Sequence, residues 1–239
     1  MTDLLYQIDS YLRVFEAEIT AVDVENRTVT LDRSAFYPGG GGQPNDTGTL
    51  TVADMTFPVL KVKKGLEGVL HFLGGDNPMP AVGQKVTGEI NWDRRYQLMR
   101  THTAMHVLCG VIFHDYGAQV TGGDMDPLQG RMDFEFETMS KDLVGVIEAR
   151  VNEEIQKRHD VHVKILPREE AFQIPDLIRT KINLLPPAIQ EIRTVELVGL
   201  DLQADGGTHV KNTIEVGSVK VVDYKSKGKI NKRIYVDIV

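Results

Sequence analysis

Cysteine is nearly absent from this chain. Of 239 residues only Cys109 carries a thiol, so no intramolecular disulfide holds the fold and a reducing compartment suits it. No apolar run approaches the length of a membrane span, and the opening Met-Thr-Asp-Leu-Leu-Tyr lacks the basic start of a secretion signal; the expected location is the cytoplasm, away from any membrane. Basic excess is missing too. A formal net charge of -7 argues against a protein that coats nucleic acid indiscriminately, although it leaves room for a local basic patch. There is no low-complexity tract and no internal repeat. With 41% hydrophobic and 26% charged residues, this is the composition of an ordinary folded protein.

What is present is histidine in a pattern. In Arg100-Thr-His-Thr-Ala-Met-His106 two imidazoles stand at i, i+4, so a helix over 94–114 sets His102 and His106 one turn apart on one face. A second pair, in Asp205-Gly-Gly-Thr-His209, comes from a glycine-rich stretch that brings its side chains in on a loop. Three imidazoles and a carboxylate suit zinc best; oxygen in place of sulfur leaves manganese, iron or cobalt open. The plainer alternative is a partly buried helix that happens to carry two histidines. No glutamate follows His102, so the general base of a His-Glu-x-x-His protease is lacking. Cys109, three residues beyond His106, reads as a packed core thiol.

Alternation and turn residues divide the chain into two expected domains, residues 1–92 and 93–239. In the first, short β-branched segments at 15–24, 27–31, 49–52, 57–62, 68–72 and 85–91 are separated by Gly, Asp, Asn and Pro, which predicts a small β-barrel that hides its strand edges. Within it lies Phe36-Tyr-Pro-Gly-Gly-Gly-Gly-Gln-Pro44. Its glycines, Gly41 and Gly42 among them, let a substrate come close to the backbone, or simply form a surface turn. The stretch lacks the Gly-Lys-Ser/Thr ending of a P-loop. In the second domain Asp93 is the expected cap of a helix ending near Gly117, and Ser140 caps another with the stripe Val144, Ile147, Val151 and Ile155. Strands are expected at 129–137, 161–165, 192–197, 213–222 and 234–239, with a break at Pro186-Pro187. The fold class is therefore α+β with a largely antiparallel sheet. Lys225, Lys227, Lys229, Lys232 and Arg233 crowd around Gly228 at an expected hairpin tip, and Arg94, Arg95 and Arg100 lie along the histidine helix. Either set is a solvated charged surface or a phosphate contact.

Taken in order, Val29-Thr-Leu-Asp-Arg-Ser-Ala-Phe-Tyr37, Gly41-Gly-Gln-Pro-Asn-Asp-Thr-Gly48, Trp92-Asp-Arg-Arg95, the two histidine motifs, Arg131-Met-Asp-Phe134 and Val210-Lys-Asn-Thr213 resemble the AlaX family. These are free-standing relatives of the editing domain of alanyl-tRNA synthetase, and the length suits their medium-length class. The resemblance implies a barrel followed by an α+β editing domain, and Zn2+ bound by His102, His106 and His209. Asp205 stands where the family commonly has cysteine, so its part in binding metal is open. The implied reaction is deacylation of alanine tRNA carrying serine, and also glycine: one pocket cannot reject both a smaller residue and one bearing a single extra hydroxyl. Gln43 is then the candidate for positioning water or ribose, and Ser34 for sensing the serine hydroxyl. Arg94, Arg95, Arg100, Lys225, Lys227 and Lys229 are the candidates for tRNA phosphates. No obligate protein partner is expected. Two other classes share these residues, a zinc-dependent hydrolase of small esters or amides and a tRNA-binding module with a structural metal.

Overall fold

Strands with one apolar face build the first of two compact units, Met1–Tyr96. In the computed structural model, which describes residues 1–180 and 189–239, its strands are β1 (Asp3–Leu4), β2 (Val14–Asp23), β3 (Thr28–Leu31), β4 (Arg33–Ser34), β5 (Gly48–Val52), β6 (Met55–Lys64), β7 (Val69–Leu73) and β8 (Lys85–Ile90). Six of them close into an antiparallel barrel in the order β2-β3-β7-β6-β5-β8, as the short, evenly spaced strands predict. Phe15, Ala17 and Ile19 of β2 point inward. On β6 the inward set runs Phe57, Val59 and then Val62, because the register shifts between Val59 and Lys61 and a bulge moves the alternation by one residue.

Helix α1 (Trp92–Tyr116) starts one residue before the expected cap. Asn91, not Asp93, caps it, its side-chain oxygen accepting the Arg94 N–H at 3.2 Å. The helix continues into the second unit, Gln97–Val239, where residues 101–112 are buried on every face. That unit adds β9 (Val120–Asp126), β10 (Gln129–Glu135), α2 (Lys141–Gln156), β11 (Val161–Pro167), α3 (Arg168–Ala171), β12 (Glu191–Leu197), β13 (Asp201–Ala204), β14 (Val219–Ser226) and β15 (Asn231–Ile238). The expected Pro186-Pro187 break lies outside the described residues. Two antiparallel sheets form, β14-β15-β10-β9 and β11-β12-β13.

Sequence and structure part at three places in this unit. The strand expected at 213–222 begins with a 3-10 turn over Thr213–Val216, because Asn212 and Glu215 form a capping box; Gly217 at φ 85 ends it, and extended chain resumes at Val219. Strands β9 and β13 carry no strong alternation in sequence and owe their form to pairing with β10 and β12. Ser140 caps α2 as expected, accepting the Leu143 N–H at 3.2 Å. From that helix Asn152 donates to Val219 O at 2.8 Å and accepts Val219 N–H at 2.9 Å, while Glu148 accepts Val221 N–H at 2.6 Å. Side chains of α2 thereby satisfy the edge of β14. Gly130 on β10 lets α1 approach the sheet, since a Cβ there would fall 2.6 Å from Met105 Sδ.

Candidate metal centre

A helix one turn of which carries His102 and His106 meets a hairpin whose second strand presents acids on the same side. In β13 alternate residues share a face, so Asp201, Gln203 and, just past the strand, Asp205 all turn toward α1, while Leu202 and Ala204 turn to the small apolar cluster around Ala171, Leu177 and Ile192. Asp205 keeps the ladder going by donating its N–H to Arg193 O at 3.1 Å. Four residues on, the Gly-Gly turn returns the chain with His209. The result is a His3Asp group, His102, His106, Asp205 and His209, whose ligand atoms all lie within 4.8 Å of one another.

Ring centroids are 5.1 Å apart for His102 and His106, 4.2 Å for His102 and His209, and 4.7 Å for His106 and His209. Asp205 Oδ2 lies 3.0 Å from His209 Nε2, and its Oδ1 3.5 Å from His102 Nε2. Asp205 is itself held: Gly207 N–H donates to its Oδ2 at 2.7 Å, and Arg193 Nη1 donates to its main-chain carbonyl at 3.0 Å. Outer partners stand beside the rings of His106 and His209. His106 Nδ1 faces Asp201 Oδ2 at 3.1 Å, and His209 Nδ1 faces Thr103 Oγ1 at 3.2 Å. In each case Nε2 is left toward the centre of the cluster.

Burial and neighbouring charge pull against each other at these groups, and the balance differs from one to the next. Burial lowers His102 to about 4, against the pull of Asp205. His209 is pushed well below the ordinary range by burial and by His102. His106 is also pressed down by burial, but the hydrogen bond and charge of Asp201 outweigh it and raise the group. Burial would raise Asp205, yet the neighbouring imidazoles hold it well below the usual carboxylate range. Unprotonated His102 and His209 beside an ionised Asp205 are donor states that a divalent cation requires, so these residues fit a bound metal. Cys109 is buried and stands outside the donor group.

Other expected site residues have different surroundings. Gly41 and Gly42, at φ 58 and 86, form the two-residue loop of a tight turn closed by both hydrogen bonds between Gly40 and Gln43, each 3.0 Å. Positive φ at both central positions is what a type I′ turn demands, which is why glycine stands there. Gln43 is buried. Ser34 is buried as well, and its hydroxyl is engaged by His71 Nε2 at 2.8 Å and by the Phe36 N–H at 3.2 Å. Arg95 is a correction. Expected among the phosphate contacts, it is wholly buried: Nε donates to both Asp46 oxygens at 3.0 Å, Nη1 to Ser10 O at 2.9 Å and Nη2 to Ala35 O at 2.6 Å. It neutralises Asp46 inside the first unit and has no face for a phosphate. Arg94 is half-buried and donates to Asn45 O at 3.2 Å. Arg100, half-buried, donates to the carbonyls of Val216 and Val239. Lys225, Lys227 and Lys229 are exposed on the hairpin joining β14 and β15, and Lys225 pairs with Asp223 at 2.9 Å. Asp201, Thr103 and Arg193 were not singled out from sequence; the alternating Asp201-x-Gln-x-Asp205 was the available signal.

The chain is similar to known proteins along its whole length. The family of class II (A) tRNA synthetases matches residues 6–94, and the threonyl and alanyl tRNA synthetase second additional domain matches residues 192–235. The chain is 42% identical over 237 residues to the alanyl-tRNA editing protein AlaX-M of Saccharolobus solfataricus, covering 98% of each chain. It is 40% identical over 243 residues to AlaX-M of Methanosarcina barkeri, covering 100% of each. The alanine–tRNA ligase of Pyrobaculum aerophilum is 37% identical over 226 residues, which are 92% of this chain but 25% of the ligase. Among the described residues no helix is long and apolar enough to cross a membrane. With relatives this similar from end to end, the chain belongs to the AlaX-M family of alanyl-tRNA editing proteins.

Proposed function

We propose that this protein is a zinc-dependent deacylase that removes serine, and also glycine, from alanine tRNA charged in error, acting in the cytoplasm. The observation that carries the reading is the His3Asp group, its three histidines buried, in a chain that matches AlaX-M proteins over its whole length. The reaction breaks the bond between the carbonyl carbon and the ribose oxygen. Water supplies the hydroxyl of the released amino acid, and its proton passes to the ribose oxygen. An aminoacyl ester is already activated, so orienting water and ester matters more than making a strong nucleophile. A zinc ion held by His102, His106 and His209, with Asp205 beside them, would supply a positive centre for the ester carbonyl or the amino group.

The chain's own residues prepare that centre. Burial keeps His102 and His209 unprotonated, and Asp201 and Thr103 hold the outer nitrogens of His106 and His209. Gln43 remains the proposed positioner of water or ribose, and the exposed Lys225, Lys227 and Lys229 the proposed phosphate contacts.

The test is hydrolysis of Ser-tRNA(Ala), with Ala-tRNA(Ala) in parallel, before and after the metal is stripped and zinc restored. Zinc-dependent loss of serine with alanine retained is the expected result, and His102→Ala should abolish it while the protein stays folded. Unchanged turnover in His102→Ala would refute the metal's role. Bound zinc without turnover would mean a tRNA-binding module, and equal cleavage of both charged tRNAs an unselective esterase.

A further inference from the structure

Asp201 does not belong to the donor group, yet it is completely buried and its two oxygens have separate tasks. Oδ1 accepts from Arg179 Nε at 3.3 Å. Oδ2 accepts from Gln203 Nε2 at 2.6 Å and faces His106 Nδ1 at 3.1 Å. Arg179 is itself fixed, with Nη1 donating to Asp176 O at 2.8 Å and its guanidinium 3.8 Å over the Phe113 ring. If Asp201 served only to neutralise Arg179, one oxygen would suffice. The second is aimed by Gln203 at the ring nitrogen that points away from the donor cluster. A carboxylate accepts and does not donate, so that nitrogen must carry the proton.

We infer that Asp201 is a positioning residue of the metal centre: anchored by Arg179 and Gln203, it holds His106 as the Nδ1–H tautomer and turns Nε2 to the metal. The inference rests on the metal-binding reading above. Its physical content is general. A ligand imidazole whose outer N–H is held by a carboxylate pays less to adopt one tautomer and one ring orientation, and is a more basic donor. The three rings are not equivalent in this respect, because His209 has the neutral hydroxyl of Thr103 where His106 has an anion. Losing the acid should therefore cost more than losing the hydroxyl.

Two measurements test it on the full chain, with Co2+ or Zn2+ alone as probe. In wild-type zinc protein, long-range 15N–1H spectra of the imidazoles should show His106 protonated on Nδ1; protonation on Nε2 would overturn the proposal without any variant. In competition against a chelator, Asp201→Asn should bind Co2+ roughly ten- to a hundredfold more weakly and shift the visible cobalt bands, with Thr103→Val weakened less. Metal-free unfolding midpoints separate this from loss of fold. Affinity and bands unchanged in Asp201→Asn would refute the positioning role alone, whereas wild-type protein that binds neither ion would refute the metal-binding reading and this inference with it.

Discussion

Acid should loosen the barrel through one side chain, His71. It is wholly buried, with Nδ1 3.2 Å from Val29 O and Nε2 2.8 Å from Ser34 Oγ. A carbonyl only accepts, so Nδ1 carries the proton and Ser34 donates to Nε2, which leaves the ring neutral. Burial lowers its pKa from the ordinary 6.5 to about 4, against the pull of the Val29 and Val69 carbonyls. Between those values the unfolded chain binds the proton and the folded one does not, so stability falls as pH falls. The contribution is fully present above 6.5. Linkage puts the loss at about 2 kcal/mol by pH 5 and about 3 kcal/mol by pH 4. Trp92, the single tryptophan, lies in the first unit under the Arg13 guanidinium at 4.0 Å, so its fluorescence follows unfolding of that unit. Urea titrations at pH 7.5, 5 and 4 on wild type and His71→Gln give the comparison, since carboxylates common to both cancel. Gln offers Ser34 an acceptor but takes up no proton. The variant should be less stable at pH 7.5, and the gap should narrow or reverse by pH 4. Parallel curves across this window would refute the assignment of a neutral buried His71.

Arg95→Met strips the buried Asp46 of its counter-charge and should destabilise the first unit by about 3–5 kcal/mol in the same urea assay, a loss much larger than a surface arginine would give. Ser34→Ala removes a buried hydroxyl that serves His71 and Phe36, and should cost about 1–3 kcal/mol. If instead its stability holds while serine loses its advantage over alanine in deacylation, Ser34 reads the substrate. Replacing Lys225, Lys227 and Lys229 together by Gln should weaken tRNA binding and lower the slope of log affinity against log salt by about 2–3, with hydrolysis of a small seryl ester unchanged. An equal loss on both substrates would point away from phosphate contacts.

The parts that were legible in sequence are those whose signal is local. His102 and His106 declare themselves because 3.6 residues per turn bring i and i+4 together in any helix, and Phe15, Ala17 and Ile19 show their strand by alternation alone. Arg95 misled for the same reason. Its neighbours Arg94 and Arg100 suggest a basic stripe, but its fate is decided by Asp46, far earlier in the chain, and a charge so paired leaves the surface. Strand β13 was missed because four residues with an acid and an amide have no strand propensity of their own; pairing with β12 creates it. Once that strand exists, its period of two carries Asp201 and Asp205 to the side of α1 and gives them opposite relations to the histidines, one at an outer nitrogen of His106 and one at the inner nitrogens of His102 and His209. Two aspartates four residues apart thus acquire different chemistry from a strand that neither of them encodes.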